Sequence, residues 1–258
     1  ETDPAYEHDL RELRGLAEQL RAIGPDSFSK YQRLLSLLRD PSGLDWDGTN
    51  PQDRLFLFSE RLETLRFLEE HLQDDLDLPE GALQMLHGGL SDVEQQAVVE
   101  AFGKDEEDVR LLLASDIAAE GINLHHLCHR LIHVDIPWSL MLFQQRNGRI
   151  DRYGQTEAPQ IRYMVTTPKN EAIHGDLRIL EVLIEKEQQA EANIDDPASL
   201  MGVYDIDQEQ TITADAIESG QSAEAFDEDL EEDETDLMEL LLGGDAEEET
   251  PGREDDVV

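Results

Sequence analysis

Three arginines stand at three-residue intervals in the segment QQRNGRIDRYGQ, residues 144–155: Arg146, Arg149 and Arg152, with Gly148 between the first two. Guanidinium groups three apart on a helical turn are expected to project to one side. Their planar, permanently charged forks suit the charge that develops on a transferring phosphoryl group. Taken singly, each arginine has a plainer use as the partner of a surplus surface carboxylate. A second segment, LLLASDIAAEGINL at 111–124, reads as a buried strand that runs into a loop of small residues. Ser115 and Asp116 stand at the strand's end, and Ala118, Ala119 and Gly121 leave the backbone bare enough for a phosphate or ribose to approach. Turn and cap chemistry is the plainer use of Asp116 and Asn123.

Two other clusters imitate sites. HHLCHRLIH, residues 125–133, supplies His125, His126, Cys128, His129 and His133, but four-coordinate zinc takes spaced pairs of ligands rather than a clump at one strand entrance. Partly buried His and Cys at a strand end is the expectation, and no metal site is assigned. The DEED string at 105–108 resembles a Walker-B box. It lies ahead of its strand in a polar loop, so it is assigned to solvent. No Gly-x4-Gly-Lys-Ser/Thr occurs, so nothing in the chain cradles a β-phosphate.

The elements that must position these residues follow from periodicity. Leu10, Leu13, Leu16 and Leu20, then Tyr31, Leu34, Leu35 and Leu38, recur at helical spacing through residues 1–40. A Pro/Gly/Asp/Asn-rich break at 40–51 follows. Short apolar runs suited to buried strands are read at 55–58, 82–86, 109–114, 130–134 and 161–166. Helices are read between them: one over 62–72, one capped by Ser91 with Glu94 three residues on and ending near Phe102, and one over 139–147. Strand and helix in alternation predict an α/β fold, a parallel sheet with helices on both faces, whose ligands gather at the carboxyl ends of the strands. The expected division is a helical lead-in at 1–50, the α/β domain at 51–168, a trailing helix at 169–204 and an acidic, disordered tail at 205–258. Within the tail, DLMELLL at 236–242 is an apolar patch. A short partner-binding helix and an unstructured extension are both open for it.

Together these segments resemble the second RecA-like lobe of superfamily-two helicases, and within it the Swi/Snf-type ATPases, over roughly residues 27–168. Arg54–Phe67 looks like motif IV, LHGGLSDVEQQAVVEAF like the following strand, turn and helix, and ASDIAAEGINL like motif V. VDIPWSLMLFQQRNGRIDRYGQ is similar to the Asp-x-Pro-Trp stretch that leads into motif VI. Its ending, Arg152 to Gln155, separates Swi/Snf-type motors from other helicases. Ser115 stands where Thr is usual, and Ser139-Leu140 where Asn-Pro is common. The resemblance implies a translocase on double-stranded DNA that uses ATP and Mg2+, both bound mainly by an upstream lobe of the same protein. Arg149 and Arg152 would be arginine fingers with Gln145 beside them. Asp116, Glu120, Gly121 and Gly148 would lie toward the nucleotide, with Asp116 and Glu120 coupling it to the nucleic-acid groove. Ser59, Gly88, Ser115 and Asn123 would lie near the DNA backbone. The rivals are an RNA helicase lobe, disfavoured by Arg152 to Gln155, and a silent binding module whose acidic tail mimics nucleic acid or recruits a protein.

Charge bounds every one of these readings. The 258 residues hold 61 Asp and Glu against 20 Lys and Arg, a net charge of −41, which excludes a free-standing basic nucleic-acid binder. Residues 205–258 account for 22 acidic residues and one basic, leaving 39 and 19 before position 205. Arginines outnumber lysines 16 to 4. Acid spread over both parts, with few lysines, is expected of a protein working in the salt-rich cytoplasm of a halophilic prokaryote. The lone cysteine, Cys128, rules out an intrachain disulfide and fits that reducing compartment. No run of about 18 apolar residues occurs, so no membrane span is expected. The start, ETDPAYEHDL, has no Met, basic region or apolar region, and is expected to belong to a fragment rather than a signal peptide. Surface repulsion reaches about 30 Å at 0.01 M salt and about 3 Å at 1 M. Residues 1–204 should therefore melt at higher temperature in molar KCl than in dilute buffer. A neutral osmolyte run in parallel separates screening from preferential exclusion, and a melting temperature indifferent to KCl would overturn the halophilic reading.

Overall fold

The computed structural model describes residues 4–104, 106–115, 128–170 and 176–193. Five strands form one parallel sheet: β1 (Leu55–Phe58), β2 (Leu83–Leu86), β3 (Leu111–Ala114), β4 (Arg130–His133) and β5 (Gln160–Tyr163), in the order β2-β3-β1-β4-β5. β1, β3 and β4 are buried throughout, as their continuous apolar runs require of strands covered on both faces. Alternation along β1 divides the core. Leu55 and Leu57 join Leu65, Leu68 and Leu72 of α4 (Leu62–Asp75) on one face, with Tyr31, Leu34, Leu35 and Leu38 of α2 (Ser29–Arg39). Phe56 and Phe58 pack on the other face against Phe102 of α5 (Asp92–Phe102) and Ile150.

Leu44, the last residue of the short α3 (Pro41–Leu44), and Trp46 are buried in the first cluster, so the Pro/Gly-rich break is folded onto the same core as α2 and β1. α5 opens on the expected capping box: Ser91 Oγ accepts from Glu94 N, and Glu94 Oε2 accepts from Ser91 N at 2.8 Å. A third cluster joins α6 (Leu140–Asn147) to α7 (Asp176–Asn193) through Leu140 and Phe143 against Ile179, Val182 and Leu183. α1 (Pro4–Arg21) keeps Leu13, Leu16 and Leu20 exposed.

The strands are shorter than the apolar runs, for visible reasons. The carbonyl of Ala82 accepts from both Arg110 N and Leu111 N, so regular pairing of β2 begins one residue later than expected. β5 covers 160–163 rather than 161–166. Val134 O, which would continue the ladder from β4, accepts instead from Lys30 Nζ at 3.0 Å, and Thr166 N donates to Asp176 Oδ2 at 2.9 Å. The same Lys30 Nζ lies 3.3 Å from Asp176 Oδ2, fastening α2 to the start of α7.

Candidate phosphate and nucleic-acid site

Parallel pairing of β1 with β4 sets Phe58 opposite His133. The residues that follow them, Ser59 and Asp135, therefore meet above the sheet. Asp135 gathers donors: Ser59 Oγ at 2.5 Å, Glu60 N at 3.0 and 3.1 Å, and Arg146 Nη1 at 3.3 Å. Arg146 also donates to the Asp135 carbonyl at 3.1 Å and lies 5.4 Å over the Phe58 ring. Its side chain is 1% exposed. A buried guanidinium is tolerated only when paired and hydrogen-bonded, and Asp135 does both.

Arg146, Arg149 and Arg152 therefore do not share one face, contrary to the expectation from spacing. α6 ends at Asn147 with Gly148 as its C-cap, and the Asn147 carbonyl closes one last turn onto Asp151 N, short of Arg152. Arg146 points into the fold, Arg149 is half-buried and Arg152 exposed. A Cβ at Gly148 would sit 3.1 Å from the Gln144 carbonyl oxygen, which keeps the turn tight. Gln155, the end of the motif, works inside the fold. Its Nε2 donates to the carbonyls of Cys128 and Ile150 at 3.1 Å, and its N–H to the Arg152 carbonyl at 3.0 Å. Residues 148–154 thus run from Asn147, beside the last residues of β4 and β5, to the carbonyl of Cys128, two residues ahead of β4. The arginine stretch descends the α6 face of the sheet instead of sitting at the carboxyl ends of the strands, as expected from the fold class.

Of the residues expected near nucleic acid, three fall at carboxyl ends. Ser115 follows β3, half-buried, with its N–H on Leu86 O; Gly88 is exposed in the turn after β2; Ser59 follows β1. Ser59 is fully buried with its hydroxyl on Asp135, so it presents no group to a backbone and instead supports the Asp135–Arg146 pair. Gln145 is exposed on α6. Asp116, Glu120, Gly121 and Asn123 lie outside the described residues, as do His125 and His126. Cys128 is buried against the carbonyls of Arg54 and Arg130, and burial pushes its thiol up to about 12. His133 is also buried; burial, then the charge of Arg146, lowers it to about 3. Glu106, Glu107 and Asp108 are exposed. Asp135 and Asn147 are site residues that sequence reasoning misses; the one local signal for Asp135 is its place at the head of the Asp-x-Pro-Trp stretch.

Residues 29–154 match the helicase conserved C-terminal domain. This part of the chain is a helicase C-terminal lobe. The five-stranded parallel sheet is its RecA-like α/β fold. The chain is 38% identical over 77 residues to the RNA polymerase-associated protein RapA of Yersinia enterocolitica and of Yersinia pestis, a stretch that covers 30% of this chain and 8% of either relative. Among solved structures it is similar to the C-terminal part of the Fun30 ATPase domain, at 21% identity and a TM-score of 0.45 over 74% of this chain and 54% of that one. It is also similar to the C-terminal domain of the DEAD-box protein Dbp5, at 19% identity and a TM-score of 0.45 over 62% and 79%.

A cleft of about 720 Å³ opens at the other end of the lobe, at the amino ends of the strands, where Asp45, Asp47, Asp53, Asp75 and Asp77 share its wall with Arg130. The guanidinium of Arg130 is taken up by Asp53 and by the Leu44 and Asp45 carbonyls. So acidic a wall repels phosphate. The Asp135–Arg146 pair generates a test of its own. Arg146 is buried while Asp135 is 28% exposed, so losing the carboxylate removes charged hydrogen bonds without emptying a fully buried pair. Asp135→Ala should lower stability to denaturant by about 2 kcal/mol, and Asp135→Asn, which keeps acceptor geometry without the charge, by less. Equal, small losses in both would show that the pair contributes nothing measurable.

Proposed function

We propose that this lobe is the second half of a Swi/Snf-type motor that translocates on double-stranded DNA at the expense of ATP. ATP is the substrate and Mg2+ accompanies its phosphates, both held mainly by an upstream RecA-like lobe of the same protein. Arg149 and Arg152 approach the γ-phosphate when the lobes close, and their guanidinium groups offset the charge of the transferring phosphoryl. The observation that carries this reading is the fixing of the arginine stretch at both ends. Arg146, Asn147, Ile150 and Gln155 are bound into the fold, while Arg149 and Arg152 stay at or near its surface. Nucleic acid belongs to a different edge in this reading. Gly88 and Ser115 at the carboxyl ends of β2 and β3, with Asn123, face its backbone, and Asp116, Glu120 and Gly121 link that edge to the nucleotide. Two ligands on two surfaces of one lobe allow a change at one to be felt at the other. Duplex DNA rather than RNA is favoured by Arg152 to Gln155.

Among the described residues no helix is long and apolar enough to cross a membrane. The acidic surface supports a salt-rich cytoplasm as the working environment, and the tail at 205–258 is a candidate contact for a protein partner.

Two measurements test the motor. The chain purified alone should hydrolyse ATP no faster than buffer, with or without DNA, because it has no loop to cradle the phosphates; DNA-stimulated turnover would sink the half-motor assignment. In the full-length protein, Arg152→Ala should lower kcat by roughly 10³ or more, with ATP and DNA affinity little changed. Wild-type turnover in that variant would make Arg152 a surface ion-pair partner. Stimulation by duplex RNA in place of duplex DNA would favour the rival helicase.

A further inference from the structure

The last residue of α6 makes contacts that neither its capping position nor the motif around it requires. Asn147 is 8% exposed. Its Oδ1 lies 3.0 Å from His133 Nε2, and its Nδ2 donates to the Tyr163 hydroxyl at 3.1 Å. His133 and Tyr163 are paired neighbours on β4 and β5, with rings stacked at 4.7 Å and an interplanar angle of 20°. Phe143, one turn earlier on α6, stacks on Tyr163 at 5.4 Å. The end of α6 is thus held to two strands by a polar clamp inside an aromatic stack.

With the amide oxygen toward the ring, His133 donates from Nε2, since an amide oxygen only accepts. The Tyr163 hydroxyl lies 3.3 Å from the same oxygen, and burial with the nearby Arg146 charge favours the neutral ring. Its Nδ1 has no hydrogen-bond partner among the described residues. A buried polar atom left unpaired costs free energy, so the ring is held there by what Nε2 and the stack provide.

The backbone of Asn147 carries the consequence to Arg149. Its carbonyl accepts from Ile150 N at 3.1 Å and from Asp151 N at 3.0 Å, and Ile150 is itself fully buried in the second core cluster. Arg149 is therefore strung between two fixed neighbours, one clamped to β4 and β5 and one plugged into the core. We infer that Asn147, gripped by His133 and Tyr163, is a positioning residue that sets where Arg149 meets the transferring phosphoryl group. The inference rests on the arginine-finger reading above. It adds three residues to the machinery, none of which touches the nucleotide. A displacement of about 1 Å at a reacting group can cost on the order of 10²-fold in rate, and a slackened clamp acts in this way.

The test is a kinetic cycle in the full-length protein, with folding followed by circular dichroism. Arg149→Ala is the reference and should lower kcat strongly. Asn147→Leu should lower kcat by roughly 10²-fold with KM for ATP unchanged, and should have no further effect in the Arg149→Ala background, because a positioning residue acts only through the group it positions. Tyr163→Phe, which keeps the stack and removes the hydroxyl, should show the same pattern more weakly. His133→Gln, which can place an N–H donor toward Asn147, should retain more turnover than His133→Leu. Full turnover in Arg149→Ala would overturn the arginine-finger reading itself. If Arg149→Ala is slow while Asn147→Leu and Tyr163→Phe turn over normally, the clamp is structural and the positioning role is wrong. Losses that multiply with that of Arg149→Ala, or that fall on KM alone, lead to the same rejection. Should Asn147→Leu fail to fold, Tyr163→Phe decides by the same criteria.

Discussion

Parallel pairing places Phe58, His133 and Tyr163 side by side across β1, β4 and β5, and the carboxyl-terminal end of α6 rests on that row. Phe58 lies under the Arg146 guanidinium, while His133 and Tyr163 hold Asn147. A slip of one residue in either pairing would turn the row to the opposite face, because strand side chains alternate with period two. A slip between β1 and β4 would part Arg146's ring from its carboxylate, and one between β4 and β5 would part the two partners of Asn147. The apolar neighbours guard against such a slip. Leu57 and Ile132 sit on the α2/α4 face and Phe56 and Leu131 on the α5 face, so the hydrophobic pattern that builds the core also aims the arginines.

Electrostatics sharpen the same point. Of the chain's few cations, Arg54, Arg110, Arg130 and Arg146 are buried. Arg54 donates to the carbonyls of Val109 and Lys104 and stacks on Phe102, and Arg130 is shared among Asp53 and two carbonyls. These arginines act as struts, joining segments far apart in sequence through their fixed fork of donors. Withdrawing them from the surface leaves its acidity still less opposed than the overall count implies. If Arg149 and Arg152 meet a phosphate as proposed, it crosses a repulsive field to reach them, so affinity has to arise at short range, where screening by salt weakens the repulsion more than the contact.

Much of this was legible in the sequence where local chemistry decides structure. The strand at 55–58, the strand read at 109–114 and found at 111–114, the Ser91–Glu94 box and the run of motifs were readable because burial and capping leave local signatures. The arginine geometry was not. Spacing of three reads as one helical face only if all three side chains are free to follow it, and Arg146 is drawn inward by Asp135, a partner the spacing does not show. Ser59 differs for a related reason. The resemblance places it near a nucleic-acid backbone, but its hydroxyl is taken by Asp135, 76 residues away in sequence. Nothing local marks such a pair, since the sheet order that joins β1 to β4 is a tertiary fact. The terminal Gln155 was readable as a motif and not as a strut, because its acceptor, the Cys128 carbonyl, lies on the far side of α6 in sequence.

These long-range ties give the lobe two parts with different freedom. Around the β1–β4 seam, Asp135, Arg146 and Asn147 are cross-linked by charge-assisted and amide hydrogen bonds within stacked rings, an arrangement that deforms only by breaking several contacts at once. α1 carries its leucines in the open and shares none of the core clusters. Most helical stability in proteins comes from packing an apolar face, and among the described residues nothing covers Leu13, Leu16 and Leu20. α7 differs, because Ile179, Val182 and Leu183 tie it to α6 and Asp176 to Lys30. A load applied through α7 therefore passes directly to the helix that ends at Asn147, whereas one applied through α1 would have to cross α2 and the sheet. If lobe closure is transmitted mechanically, the α7 side is the stiffer route to the arginines.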